Sequence, residues 1–172
     1  MKVTSNPGCI GAASHNAKPA GFTLIELLIT LAILALLATL ATPIMELTVK
    51  RQKEHELKTA LREIRSAIDA YKKASDESKI LRKADETGYP PNLSVLYQGV
   101  VDASDPQKRK IYFMRRLPRD PFYPDTTAPP EEGWGKRSYE SDFDKPSPGR
   151  DVYDIYSLSQ DTALNQTFYR EW

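Results

Sequence analysis

The chain sets Lys18-Pro19-Ala20-Gly21-Phe22-Thr23-Leu24-Ile25-Glu26 directly ahead of an apolar stretch that runs to Thr42. Residues 22–42 form roughly 31 Å of helix, close to the ~30 Å hydrocarbon thickness of a bilayer. Leu, Ile and Ala dominate, and all suit lipid. The threonines cost little, because their hydroxyls can bond back to helix carbonyls. Glu26, the fifth residue after Gly21, is the one charge. A carboxylate at mid-membrane depth costs on the order of 2.5–3.5 kcal/mol on insertion scales. Either Glu26 is tolerated near a helix end, or it needs a partner. A cut after Gly21 would make one, the new amine of Phe22.

An ordinary secretory signal has its apolar region ahead of the cut and loses it. Here the apolar region follows Gly21 and would stay with the mature chain. The leader, residues 1–21, carries Lys2, His15 and Lys18 and no acid. Lys50, Arg51, Lys53 and Lys58 on the far flank outnumber Lys2 and Lys18, so the charge count does not set the orientation.

This pattern resembles the leader of type IV pilins and of the pseudopilins of type II secretion. The resemblance implies a prepilin peptidase that cuts after Gly21 and methylates Phe22. It also implies that Glu26 docks on a neighbour's amine and fixes axial stagger. Pro43, at the end of the apolar run, can kink, loosen or end the helix. In the pilin family a proline at this distance marks a place that can unwind in the filament. The implied fold is α+β, a long N-terminal membrane-spanning helix packed on a small antiparallel sheet. The expected divisions are a leader at 1–21, a membrane helix at 22–43, an amphipathic helix at 44–74 and a periplasmic sheet region at 75–172.

Leu57, Ala60, Leu61, Ile64, Ala67, Ile68 and Tyr71 recur at helical spacing, and charges such as Glu54 and Lys58 fill the other faces. This stripe must bury against something, expected to be the sheet. Gly88-Tyr89-Pro90-Pro91-Asn92 breaks the chain. A helical turn is expected from Asn92 or Ser94, with polar loop at 98–110 and an apolar anchor at 111–114. Residues 151–157 read as a strand, with Val152, Asp154 and Tyr156 on one side and Tyr153 and Ile155 on the other. Trp172 either closes the core or sits in an interface.

Tyr89-Pro90, Leu117-Pro118-Arg119-Asp120-Pro121, Trp134-Gly135-Lys136-Arg137-Ser138-Tyr139 and Asp154-Ile155-Tyr156-Ser157 follow in order. Their order is similar to that in major, G-type pseudopilins. Residues 122–133 intrude where the family usually runs on without a break. That family binds calcium in an acidic loop after the last serine. Here the loop offers Ser159, Asp161, Asn165 and Thr167 with one carboxylate, where calcium wants six to eight oxygens. These residues could form a weak calcium site, or a hydrogen-bonded loop without metal.

The chain has 172 residues and a net charge of +1. Losing Lys2 and Lys18 takes its 24 basic residues to 22 against 23 acidic, so no field recruits nucleic acid. About 130 residues remain outside the leader and membrane segment, enough for one small domain. The single cysteine, Cys9, lies in the leader, which leaves no mature disulfide of the kind many pilins carry. His15 and His55 stand apart, there is no phosphate-cradling loop, and Asp120, Asp125, Asp142 and Asp144 sit in loops without evident partners. The expectation is therefore an assembly subunit and not an enzyme.

The resemblance places it in the bacterial inner membrane with its head in the periplasm. Its partners would be further copies of itself, minor pseudopilins, the prepilin peptidase and the inner-membrane assembly platform. Two rivals stand beside the secretion pseudopilin: a subunit of a type IV pilus, and an uncut single-pass membrane protein with a periplasmic binding head.

Overall fold

The computed structural model describes residues 21–172, with residues 40–44 described by their backbone alone. The leader expected over 1–21 therefore lies outside the described residues except for Gly21, as does the side chain of Pro43. The chain divides into two units, Met1–Pro43 and Ile44–Trp172.

Helix α1, Leu24–Asp76, runs for 53 residues and contributes to both units. Its backbone stays helical through Pro43, so Pro43 does not end it. One missing donor is a local cost, and the bonded turns on either side outweigh it. At its start the Thr23 hydroxyl accepts the Glu26 N–H at 3.3 Å, and the Thr23 carbonyl accepts the Leu27 N–H at 3.2 Å. At its end Lys79 N–H reaches Ala74 O at 2.9 Å and Ser78 N–H reaches Ser75 O at 3.0 Å. That is a Schellman closure with Ser78, at φ 60°, where glycine is usual.

In the second unit, all seven apolar stripe residues of α1 are buried, with Leu57 and Ile64 fully so. They meet Leu93, Leu96, Leu117, Trp134, Val152, Ile155, Ala163 and Tyr169 in one core. Glu54 and Lys58, opposite in sign and one turn apart, do not pair with each other. Glu54 accepts the Leu164 N–H at 2.8 Å and the Tyr169 hydroxyl at 3.0 Å, and the Lys58 ammonium stands 4.2 Å over the Trp172 ring. Long-range partners that fix the C-terminal segment displace a local surface pair worth a few tenths of a kcal/mol.

Helix α2, Ser94–Gln98, begins where Asn92 Oδ1 accepts the Val95 N–H at 3.2 Å. It stops at Gly99, whose φ of 78° needs glycine. Residues 98–110, expected as loop, instead carry β1, Val100–Val101, paired antiparallel with β2, Lys110–Ile111. The Phe113 and Met114 N–H groups then both reach Leu96 O, at 3.0 and 3.1 Å.

A second antiparallel pair joins β3, Trp134–Arg137, to β4, Asp154–Ser157, with Trp134 opposite Ser157. A Cβ on Gly135 would run into the Tyr156 ring opposite it, which is why the Trp-Gly pair needs its glycine. The strand is shorter than expected. Val152 lies before it, is buried, and donates to Pro90 O at 2.8 Å, so it does not share the half-buried side of Asp154 and Tyr156. The head is thus mixed α+β, a helix on two small antiparallel sheets, closed by a 3-10 turn at Tyr169–Glu171.

Candidate functional site

Two sets of residues were singled out by the sequence, one at the start of α1 and one in the head. At the start of α1, Gly21, Phe22 and Glu26 are exposed. Thr23-Leu24-Ile25-Glu26 has the spacing of a capping box, a local signal present in the sequence. Glu26 therefore sits in the first helical turn, where the helix dipole favours a carboxylate. This lowers what Glu26 costs near the end of the apolar segment. The threonines behave as expected where they are described: Thr30 donates to Leu27 O at 2.9 Å and Thr39 to Leu36 O at 2.7 Å.

From Leu24 to Leu37 every Leu and Ile is more than half exposed, from 52% at Ile33 to 76% at Leu24. A helix that is apolar on all sides has no covered face of its own and needs lipid or other helices around it. Among the described residues, no helix is long and apolar enough to cross a membrane.

In the head, the motif segments converge. Trp134 Nε1 donates to Pro118 O at 2.9 Å, and Trp134 pairs with Ser157 across the sheet. The Ser157 hydroxyl donates to the buried Asp120 carboxylate, which also accepts the Phe122 N–H at 2.8 Å. Burial pushes the Asp120 carboxyl above the usual carboxylate range despite these two bonds. Asp120, expected to lie partnerless in a loop, is thus a structural residue. Asp151, which no motif marked, is another. It accepts the Ser138 hydroxyl at 2.7 Å, the Tyr139 N–H at 2.9 Å and the Thr87 hydroxyl. Burial works to raise Asp151, but these bonds outweigh it and hold the carboxyl below its ordinary value. Arg65 links α1 to the sheet through Asp154 at 2.7 Å, Ile155 O at 3.1 Å and Trp172 O at 2.7 Å.

The loop considered for calcium uses its oxygens on itself. Asn165 Oδ1 accepts the Thr167 N–H at 3.2 Å and the Thr167 hydroxyl at 2.8 Å. Thr167 Oγ1 accepts Trp172 Nε1 at 2.7 Å, and Ser159 Oγ accepts the Asp161 N–H at 3.2 Å. Asp161 is exposed and is the single carboxylate of the loop. Among the described residues, no group of three or more His, Cys, Asp and Glu could hold a metal ion. The loop thus offers calcium one carboxylate, with its Ser159, Asn165 and Thr167 side-chain oxygens already accepting hydrogen bonds. Adding about 10 mM calcium, above the ~10⁻³ M range of weak sites, is expected to leave the thermal midpoint of the purified chain unchanged. A rise of several degrees would restore a metal role to Asp161.

Residues 16–42 match the family model described as the prokaryotic N-terminal methylation motif. The chain carries a type IV pilin-like prepilin signal. The matched stretch takes in Gly21, Phe22 and Glu26 and stops short of the head. No curated protein and no solved structure matches the chain. The signal implies a membrane-anchored, prepilin-like protein, pseudopilin or pilin.

Proposed function

We propose that this chain is a pseudopilin, a structural subunit without catalytic activity that polymerises into a periplasmic filament serving type II secretion. Cleavage between Gly21 and Phe22 by a prepilin peptidase, with methylation of Phe22, releases the subunit for assembly. Residues 22–43 then serve first as the inner-membrane anchor and next as the filament's helical core. The observation that carries this reading is the apolar helix, exposed on all sides, within a matched prepilin signal. Apolar burial between helices is strong but blind to register, whereas a charge pair is directional. Glu26 paired with the Phe22 amine of a neighbour supplies the stagger. Minor pseudopilins and the inner-membrane assembly platform complete the partners. The order of the Leu117, Trp134 and Asp154 motifs favours the secretion branch over a surface pilus.

A deletion strain complemented with wild type or Glu26→Ala tests the reading. Wild type is expected to restore exported proteins in the medium, with surface pili unaffected. Glu26→Ala is expected to be cut and methylated, as mass spectrometry of the N-terminus reads, and to stay in the membrane. Its filament yield should fall by on the order of tenfold or more, because the neighbour's amine is left buried and unpaired. Normal filament yield sinks the docking mechanism. Loss of pili with secretion intact moves the chain to a type IV pilus, and a chain never cut at Gly21 makes it a single-pass membrane protein with a binding head.

A further inference from the structure

We propose that the head carries a docking groove for a second copy of this chain, and that its occupant is the loop tripeptide Asp142-Phe143-Asp144. The groove, about 770 Å³, runs between α1 and residues 113–116. Ala67, Phe113 and Met114 give it an apolar floor, and Arg62, Arg115 and Arg116 stand around it against one acid, Glu63. Among the described residues, the Arg115 and Arg116 side chains have neither an ion pair nor a hydrogen bond. Some other exposed arginines and lysines of the head are paired: Arg109 with Asp105 at 2.6 Å, Lys79 with Glu77 at 2.7 Å and Arg150 with Glu140. Two adjacent unpaired arginines above an apolar floor suit a ligand with an apolar centre and carboxylates beside it.

This chain presents such a ligand. Phe143 is 79% exposed, the most exposed aromatic ring of the head, with the Arg137 guanidinium 5.5 Å from the ring centre. Among the described residues, its neighbours Asp142 and Asp144 have no ion pair. The loop that bears them is tied at its base. Ser138 N–H donates to Ser147 O at 3.1 Å, Ser147 N–H to Ser141 Oγ at 2.8 Å, and Arg150 bridges to Glu140. Little further ordering is then needed on binding.

Loop and groove lie at opposite ends of β3. Trp134 donates to Pro118, next to Leu117 and Arg116, while Arg137 lies against Phe143. A contact of one head's loop with the next head's groove, made head to tail, is heterologous and can be repeated along a row of heads. The inference rests on the assembly reading, because copies already joined by their helices face each other at high effective concentration, where a small contact suffices.

The test uses the full chain in the deletion strain with Cys9→Ser, so that introduced cysteines stand alone. Ser66→Cys in the groove and Lys145→Cys beside the loop touch none of the proposed charges. Treated with a short bis-maleimide, the double variant is expected to give a ladder of covalent multimers, and either single variant none. Arg115→Asp with Arg116→Asp should cut the ladder about tenfold, as should Asp142→Arg with Asp144→Arg, and combining all four should restore it. Filaments are scored in parallel by electron microscopy. Filaments without a ladder overturn the head contact and leave the assembly reading standing; neither filaments nor ladder overturns both. A ladder indifferent to both reversals, or an adduct to a different protein, overturns the assigned occupant.

Discussion

Ile64→Ala is expected to cost the head about 2–5 kcal/mol, whereas Arg65→Met, one residue on, should cost about 1 kcal/mol or less. The two residues face different surroundings on the same helix. Ile64 is fully buried among apolar side chains from both later segments of the chain, so truncation loses transfer energy and leaves a cavity. Arg65 makes more visible bonds, including the 2.7 Å ion pair to Asp154, but its side chain is 37% exposed and that of Asp154 27%. Water replaces much of what such a pair supplies, and the arginine stem is kept by Met. Urea unfolding of the purified full chain in mild detergent reads the difference. Trp134 and Trp172 both report on the head, with Trp134 buried. Equal losses for the two variants would show that the ionic tie, not the α1 stripe, holds helix to sheet.

That stripe was legible because a 3.6-residue period can be read from Leu57 to Tyr71 alone, and every residue it named is buried. The helical turn at 94 was legible for a similar reason, since Asn92 is a local acceptor. What failed was non-local or too short to leave a period. The β1–β2 pair has two residues a side, and no alternation can be seen in two residues. Glu54 has a ready partner four residues on, yet it binds Leu164 and Tyr169 more than a hundred residues away. The four head motifs could be ordered from sequence, but the convergence of the last three on the Asp120–Ser157 bond could not. At the start of α1 the opposite happened. Thr23 to Glu26 is a local signal, masked by the membrane cost of a charge in an apolar run.

Asp151→Ala is expected to cost about 2–4 kcal/mol at neutral pH, because it leaves the Tyr139 N–H and the Ser138 and Thr87 hydroxyls without their acceptor in a buried place. Asp120→Asn should be close to neutral in acid, where Asp120 is protonated, since an amide oxygen can still accept from Phe122. The two carboxylates also oppose each other in pH. Asp151 is held below its ordinary value, so its contribution is present above the unfolded range near ~3.9 and is lost as pH falls through the folded value. Asp120 is pushed up by burial, so its contribution is present below that same range and is lost as pH rises through the folded value. Stability measured by urea from pH 3 to pH 8 should therefore rise on leaving acid and decline as pH passes through the raised folded value of Asp120. Asp120→Asn should remove the decline and keep the acid limb, while Asp151→Asn should weaken the acid limb and keep the decline. A decline that survives Asp120→Asn would assign it to another group and leave Asp120 ionised at no cost, which its burial against Ser157 forbids.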